Sequence, residues 1–145
     1  MPENFEIKPH HCGISVPDME ASIKWYRDVL GFTVAKQMDM GQGKITFMKL
    51  GDFYIELFAI PGSQPPVDFQ NKMGQDLAIQ GTKHMAFVVK DLPKFADNLK
   101  KRGVAIASPP GGPGGLSRAD DTPRALFVRD NSGILLEFVP PSAPE

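Results

Sequence analysis

Cysteine is almost missing: Cys12 is the only one among 145 residues. A lone thiol cannot close an internal disulfide, so the fold does not depend on an oxidising compartment. An excess of either charge is missing too. Sixteen Lys+Arg against seventeen Asp+Glu leave a net charge of −1. With no basic run to supply a local attraction, neither nucleic acid nor acidic lipid is an expected partner. No stretch approaches the roughly 18 consecutive apolar residues of a membrane span. The opening Met1-Pro2-Glu3-Asn4-Phe5-Glu6 is acidic and lacks the apolar run of a signal peptide. What is present is a globular composition, 41% hydrophobic and 23% charged. A chain of this length buries roughly 70% of its unfolded surface. The expectation is a soluble cytoplasmic protein with a single domain over residues 1–145.

Glycine and proline are plentiful, at fourteen each, and unevenly placed. They cluster at Pro61 to Pro66, Pro109 to Gly115 and Pro140 to Pro144. Between the clusters lie two stretches of similar size, about 8–60 and about 84–140, joined by a connector over 61–83. The stretches repeat each other. His11-Cys12-Gly13-Ile14-Ser15-Val16-Pro17-Asp18-Met19 is echoed by His84-Met85-Ala86-Phe87-Val88-Val89-Lys90-Asp91-Leu92. A spacing of 73 separates the two histidines, and the same spacing separates the two aspartates.

Each opening alternates like a short strand. Each then shows an Asp able to cap a helix, Asp18 or Asp91. The apolar stripes that follow are Met19, Ile23, Tyr26 and Leu30, then Leu92, Phe95 and Leu99. Gly31 and Gly103 stand where each helix should stop. Strands are predicted at Phe32–Val34, Lys44–Leu50 and Phe53–Phe58, and at Val104–Ala107, Ala125–Arg129 and Ile134–Val139. Each half therefore reads β-α-β-β-β, and the chain as an α+β duplication. The long connector is a candidate lid or partner-binding segment, with a short helix predicted over Phe69–Ile79. The Pro109–Thr122 loop, with Arg118, Asp120 and Asp121 near its end, is a hairpin loop or a ligand cover.

Strand alternation sets His11, Gly13 and Ser15 on one face and Cys12, Ile14 and Val16 on the other. It does the same for His84, Ala86 and Val88 against Met85, Phe87 and Val89. The apolar faces should pack on the helices, which leaves both histidines on the opposite face beside small residues. Each last strand carries one acid in apolar company: Glu56 in Tyr54-Ile55-Glu56-Leu57-Phe58, and Glu137 in Leu135-Leu136-Glu137-Phe138-Val139. A carboxylate there is costly unless paired or bound to a metal. If the first and last strands of each half are neighbours, His11 meets Glu56 and His84 meets Glu137. Packed about a pseudo-twofold axis, the four would offer two nitrogens and two oxygens to one divalent first-row ion. An octahedral ion would then keep two adjacent positions for a substrate with neighbouring oxygens. His10 is the competing ligand; alternation and the 73-residue repeat favour His11 and turn His10 away. Cys12 is expected to be a small buried packing residue.

The chain resembles the vicinal oxygen chelate superfamily, which includes glyoxalase I, methylmalonyl-CoA epimerase, extradiol dioxygenases and fosfomycin- and bleomycin-resistance proteins. The carriers are His11–Asp18, Trp25-Tyr26-Arg27-Asp28-Val29-Leu30-Gly31-Phe32, Ile55-Glu56-Leu57, His84-Met85-Ala86-Phe87 and Asn131–Phe138. The resemblance implies two βαβββ modules whose curved sheets form an open barrel-like cavity. It also implies the ligand set His11, Glu56, His84 and Glu137, most like glyoxalase I. The ion is one of Ni, Zn, Co, Mn, Fe or Mg. The modules of the family pair within one chain or across a dimer, and a homodimer is expected. Glutathione-using bacterial glyoxalases of this type carry an Arg four residues after the first His, where this chain has Ser15. Arg118, Arg124 and Lys83 are either alternative anion holders or solvated surface charge.

The expected function is a metal-dependent lyase, isomerase or epimerase that transfers an α-proton on a small carbonyl substrate. By analogy with the family Glu137 is the base, and Glu56 a ligand or second base. The alternatives are an extradiol-type dioxygenase, which an extra carboxylate at Glu56 would crowd, and a non-catalytic resistance-type binding protein.

Overall fold

The computed structural model describes residues 6–67, 75–108 and 125–141. The chain divides into two compact units, Met1–Ser63 and Gln64–Glu145. The first contains β1 (His11–Ser15), α1 (Met19–Leu30), β2 (Thr33–Asp39), β3 (Lys44–Leu50) and β4 (Phe53–Ala59). Asp18 starts α1: its backbone is extended, and its carboxylate accepts the Ala21 N–H at 3.0 Å. Gly31 ends the helix at φ 80°, a conformation that L side chains resist. The buried stripe is Met19, Ser22, Ile23 and Tyr26, laid on β3 and β4. Leu30, in the last turn, is only half-buried.

The sheet order is β1-β4-β3-β2. β1 runs parallel to β4, and the other pairs are antiparallel. The Gly51-Asp52 turn opposes Leu50 to Phe53, with Gly51 at φ 58°, the positive angle that a tight hairpin takes at its first turn position. Ile55, Leu57 and Met48 point to the α1 side and are fully buried with Tyr26 and Phe32.

Among the described residues, the second unit holds a 3₁₀ turn (Asp76–Ala78), then β5 (Met85–Val88), α2 (Leu92–Lys101), β6 (Ile106–Ser108), β7 (Leu126–Arg129) and β8 (Leu135–Val139). Its order, β5-β8-β7-β6, is the same pattern, and β5 is again parallel to β8. Asp91 caps α2 by accepting the Lys94 N–H at 3.0 Å, and Lys100 and Lys101 lie at its negative end. Leu92, Ala96 and Leu99 form the buried stripe, while Phe95 packs on Phe138 with ring centres 4.8 Å apart. Asp130 builds the β7–β8 turn. Its Oδ1 accepts the Ser132 N–H at 2.8 Å, the Ser132 hydroxyl at 3.0 Å and the Ile134 N–H at 2.9 Å.

Both sheets also shift register at the same place on their edge strand, between Val34 and Lys36 and between Ile106 and Ser108. Two four-stranded mixed sheets, each with its helix, make the predicted α+β architecture of βαβββ modules.

Some boundaries differ from expectation. β2 runs to Asp39 and begins after Phe32, which is fully buried instead. Its Lys36, Gln37 and Asp39 hide a strand held by pairing with β3 rather than by apolar alternation. β6 begins at Ile106 rather than Val104. Of the helix predicted over 69–79, the 3₁₀ turn is what the described residues contain. Residues 69–74, the Pro109–Thr122 loop and Arg124 lie outside them. Among the described residues no helix is long and apolar enough to cross a membrane.

Replacing Asp18 by Ala removes the acceptor for the Ala21 N–H. Urea denaturation should then show a loss of about 1 kcal/mol of stability, with the denaturant slope unchanged. An unaltered midpoint would mean that the cap contributes nothing.

Candidate metal centre

The pairing of the first and last strands decides where the ionisable side chains go. In the first unit Gly13 stands opposite Glu56 on the parallel β1–β4 ladder, and Phe47 stands opposite Glu56 on the β3–β4 ladder. His11, two residues before Gly13, shares its face. From there its Nε2 reaches Glu56 Oε2 at 3.2 Å. A Cβ on Gly13 would lie 3.7 Å from the same oxygen and 3.1 Å from the Phe58 ring. The small residue therefore leaves the carboxylate uncovered.

The second unit repeats the line. Ala86 stands opposite Glu137, and Phe127 opposes Glu137 from β7. His84 lies one residue before β5, and its Nε2 is 2.8 Å from Glu137 Oε2. The histidine side chains are 38% and 30% exposed and their glutamates 17% and 21%. Each pair is thus open to a ligand on the imidazole side while the carboxylate is largely withdrawn.

The four predicted residues fall two to each unit, each His beside its own Glu. Within either unit the described residues hold no group of three or more His, Cys, Asp or Glu able to hold an ion. Two hollows of the first unit lie elsewhere, around Asp39 and Lys44, and share no residue with the His11–Glu56 pair.

Sequence reading missed two aromatic walls. Phe47 meets the His11 ring edge-on at 5.7 Å, and Phe127 meets the His84 ring the same way at 5.4 Å. Both follow from counting back across the β3–β4 and β7–β8 turns from Glu56 and Glu137. His10 corrects an expectation. It does not point away from the site: its Nδ1 is 2.7 Å from His11 Nδ1, and its ring stacks on Tyr54 at 5.1 Å. Next to the strand end the backbone no longer imposes alternation, since β1 begins only at His11. Lys83, weighed as an anion holder, donates from Nζ to the Ile79 carbonyl.

The chain from residue 8 to residue 138 matches the family model described as Glyoxalase/Bleomycin resistance protein/Dioxygenase superfamily. The chain belongs to that superfamily. Among its relatives, the mitochondrial methylmalonyl-CoA epimerase of Mus musculus is 29% identical over 104 residues. That match takes in 68% of this chain and 55% of the mouse protein, so the chain spans about half that relative's length. A probable lactoylglutathione lyase of Synechocystis sp. is 23% identical over 92% of this chain and 95% of its own. In structure, the glyoxalase family protein from Enterococcus faecalis superposes with a TM-score of 0.72 at 20% identity, covering 93% of this chain and 98% of that one. The shared feature at that identity is the fold. Superfamily membership is consistent with the repeated βαβββ order and carries the glyoxalase-like fold that the sequence implied.

Cys12 stands apart from both pairs. It is half-buried, its Sγ is 3.9 Å from the Gly13 carbonyl, and burial pushes the thiol up from its ordinary value. Raising that value lowers the thiolate fraction at a given pH. Alkylation by iodoacetamide at neutral pH, followed by mass spectrometry, should therefore be slower than for free glutathione and accelerate as the pH rises. A rate equal to glutathione's would contradict the burial argument.

Proposed function

We propose that the chain is a metal-dependent enzyme that moves the α-proton of a small carbonyl substrate carrying a second, neighbouring oxygen. The reaction is of the epimerase, isomerase or lyase type. His11, Glu56, His84 and Glu137 together serve one divalent ion, whether supplied by one chain or by two copies. The carrying observation is the recurrence of one His–Glu pair at one register of two sheets with the same strand order.

The donor chemistry fits such an ion. Two ligands about 2.1 Å from a metal, at right angles to one another, lie about 3.0 Å apart. The observed separations of 3.2 and 2.8 Å bracket that value. Imidazole nitrogen with carboxylate oxygen suits first-row divalent ions from Mn to Zn. When bound, the ion supplies Lewis-acid polarisation of the substrate carbonyl and stabilises the negative charge that develops on its oxygen.

The rest falls to the chain. Glu137 takes the α-proton: the C–H bond breaks, its electron pair passes into the new carbon–carbon double bond, and charge collects on the carbonyl oxygen. The proton is then returned to carbon by Glu137 or by Glu56, which distinguishes exchange on one face from inversion. Phe47 and Phe127 hold the imidazoles edge-on and keep water from that side of each ring. Relatives named as a methylmalonyl-CoA epimerase and a probable lactoylglutathione lyase support proton transfer next to a carbonyl. Ser15 in place of an Arg favours an epimerase reading over a glutathione-dependent one.

After loading with Zn²⁺, Co²⁺ or Ni²⁺ and dialysis, elemental analysis should find about one ion per chain, and less in His84→Ala. No retained metal under any loading would favour a non-catalytic binding protein instead. Methylmalonyl-CoA in D₂O should gain deuterium at its α-carbon in the presence of the loaded protein. Glu137→Gln should keep the fold and most of the metal but slow that exchange at least ~100-fold. Near-normal exchange in this variant would remove Glu137 from the role of base.

A further inference from the structure

His10 differs from its counterpart in the second half. The residue before His84 is Lys83, whose ammonium can only donate. The residue before His11 is an imidazole, and the two rings meet through Nδ1 at 2.7 Å. His10 is held there from two sides. Its carbonyl accepts the Tyr54 N–H at 3.1 Å, and its ring lies on the Tyr54 ring with 20° between the planes. The other edge of His11 faces Glu56 at 3.2 Å. His11 is thus the middle of a chain His10–His11–Glu56.

The donors in this chain can be assigned without seeing hydrogens. A carboxylate only accepts. In the metal-free protein His11 Nε2 must therefore carry the proton that faces Glu56, because a bare lone pair there would oppose an anion. A neutral His11 ring then has an unprotonated Nδ1, and His10 Nδ1–H donates to it. With a cation at His11 Nε2, that nitrogen would give its proton to water. His11 Nδ1 would take the proton from His10 Nδ1 and donate it back across the same contact, while His10 Nε2 would gain one from water. His10 is exposed, so the last exchange is open. The pair ends with as many protons as it began with. A backbone carbonyl could accept in the second arrangement but could not donate in the first. An imidazole serves both.

We infer that His10 is a positioning residue: its Nδ1 holds His11 so that Nε2 stays turned to Glu56, reversing from donor to acceptor as the ion arrives. The inference rests on the proposed metal role of His11 and goes beyond it by assigning the partner of the far ring nitrogen.

The test uses the 145-residue chain labelled with ¹⁵N in histidine, at about pH 8.5. A through-hydrogen-bond coupling should join Nδ1 of His10 to Nδ1 of His11 with and without Zn²⁺. The bridging proton should sit on His10 in the metal-free spectrum and on His11 after Zn²⁺ is added. His10→Phe keeps a ring to stack on Tyr54 and removes the nitrogen. Its Zn²⁺ affinity, read by competition with a chromophoric chelator, should fall about 10- to 100-fold. The His84 resonances of the metal-free protein should stay where they are. Absence of the coupling in the wild-type protein, or Zn²⁺ bound as tightly by His10→Phe, overturns the inference. Wild-type protein that takes up no Zn²⁺ would instead sink the metal reading, and the metal-free spectrum alone would then decide the histidine pair.

Discussion

A carboxylate on an apolar strand must meet a partner, since an isolated buried charge costs several kcal/mol. In both halves of this chain the partner is an imidazole delivered by the neighbouring parallel strand. Much else in each sheet follows from meeting that demand. The first strand has to lie beside the last rather than beside the second, so the chain must cross over before it can pair antiparallel. The helix makes that crossover, and its buried stripe then covers the opposite face of the sheet. The capping Asp, the helix stop and the tight β3–β4 or β7–β8 turn are the local means to one register.

Register is the quantity that matters, because a slip of one residue would turn Glu56 or Glu137 into the helix-side core. The two halves hold it with different turn chemistry. The first uses a glycine at positive φ in a two-residue connection. The second uses a buried aspartate that gathers three donors. Both end with a Phe, a Glu and a small residue in one row across three strands. Two unlike turns arriving at one row is stronger support for a selected arrangement than identical turns would be.

Most of this order was legible in the residues. The 73-residue repeat exposed the duplication, and the period of two along β1 set His11 on the side of Glu56, with His84 beside Glu137 as its equivalent in the repeat. Asp18 and Gly31 marked α1 because capping is local chemistry. What escaped depended on partners distant in sequence. β2 looked shorter than it is because its polar residues are held by the β3 ladder. Phe47 and Phe127 carry no mark of their own in the sequence, and each meets its histidine only once the hairpin is closed. Alternation turned His10 away, but it is a rule for residues inside a strand, and His10 precedes β1.

The departures from symmetry bear on the chemistry. In the proposed reaction, an ion served by two equivalent pairs would not distinguish Glu56 from Glu137, yet proton transfer would call for one of them to act first. The strands around them do differ. Glu137 lies between Leu135 and Val139 on its face, side chains with no hydrogen to donate. Glu56 lies between Tyr54 and Phe58, its histidine is backed by a second imidazole, and Lys49 Nζ stands 5.6 Å over the Tyr54 ring. The first half is thus furnished to hold a ligand still. The second leaves its carboxylate with few competing donors. For the proposed reaction, this division favours Glu137 as the group that carries the proton and Glu56 as the metal ligand, a distinction that equal donor sets alone could not supply.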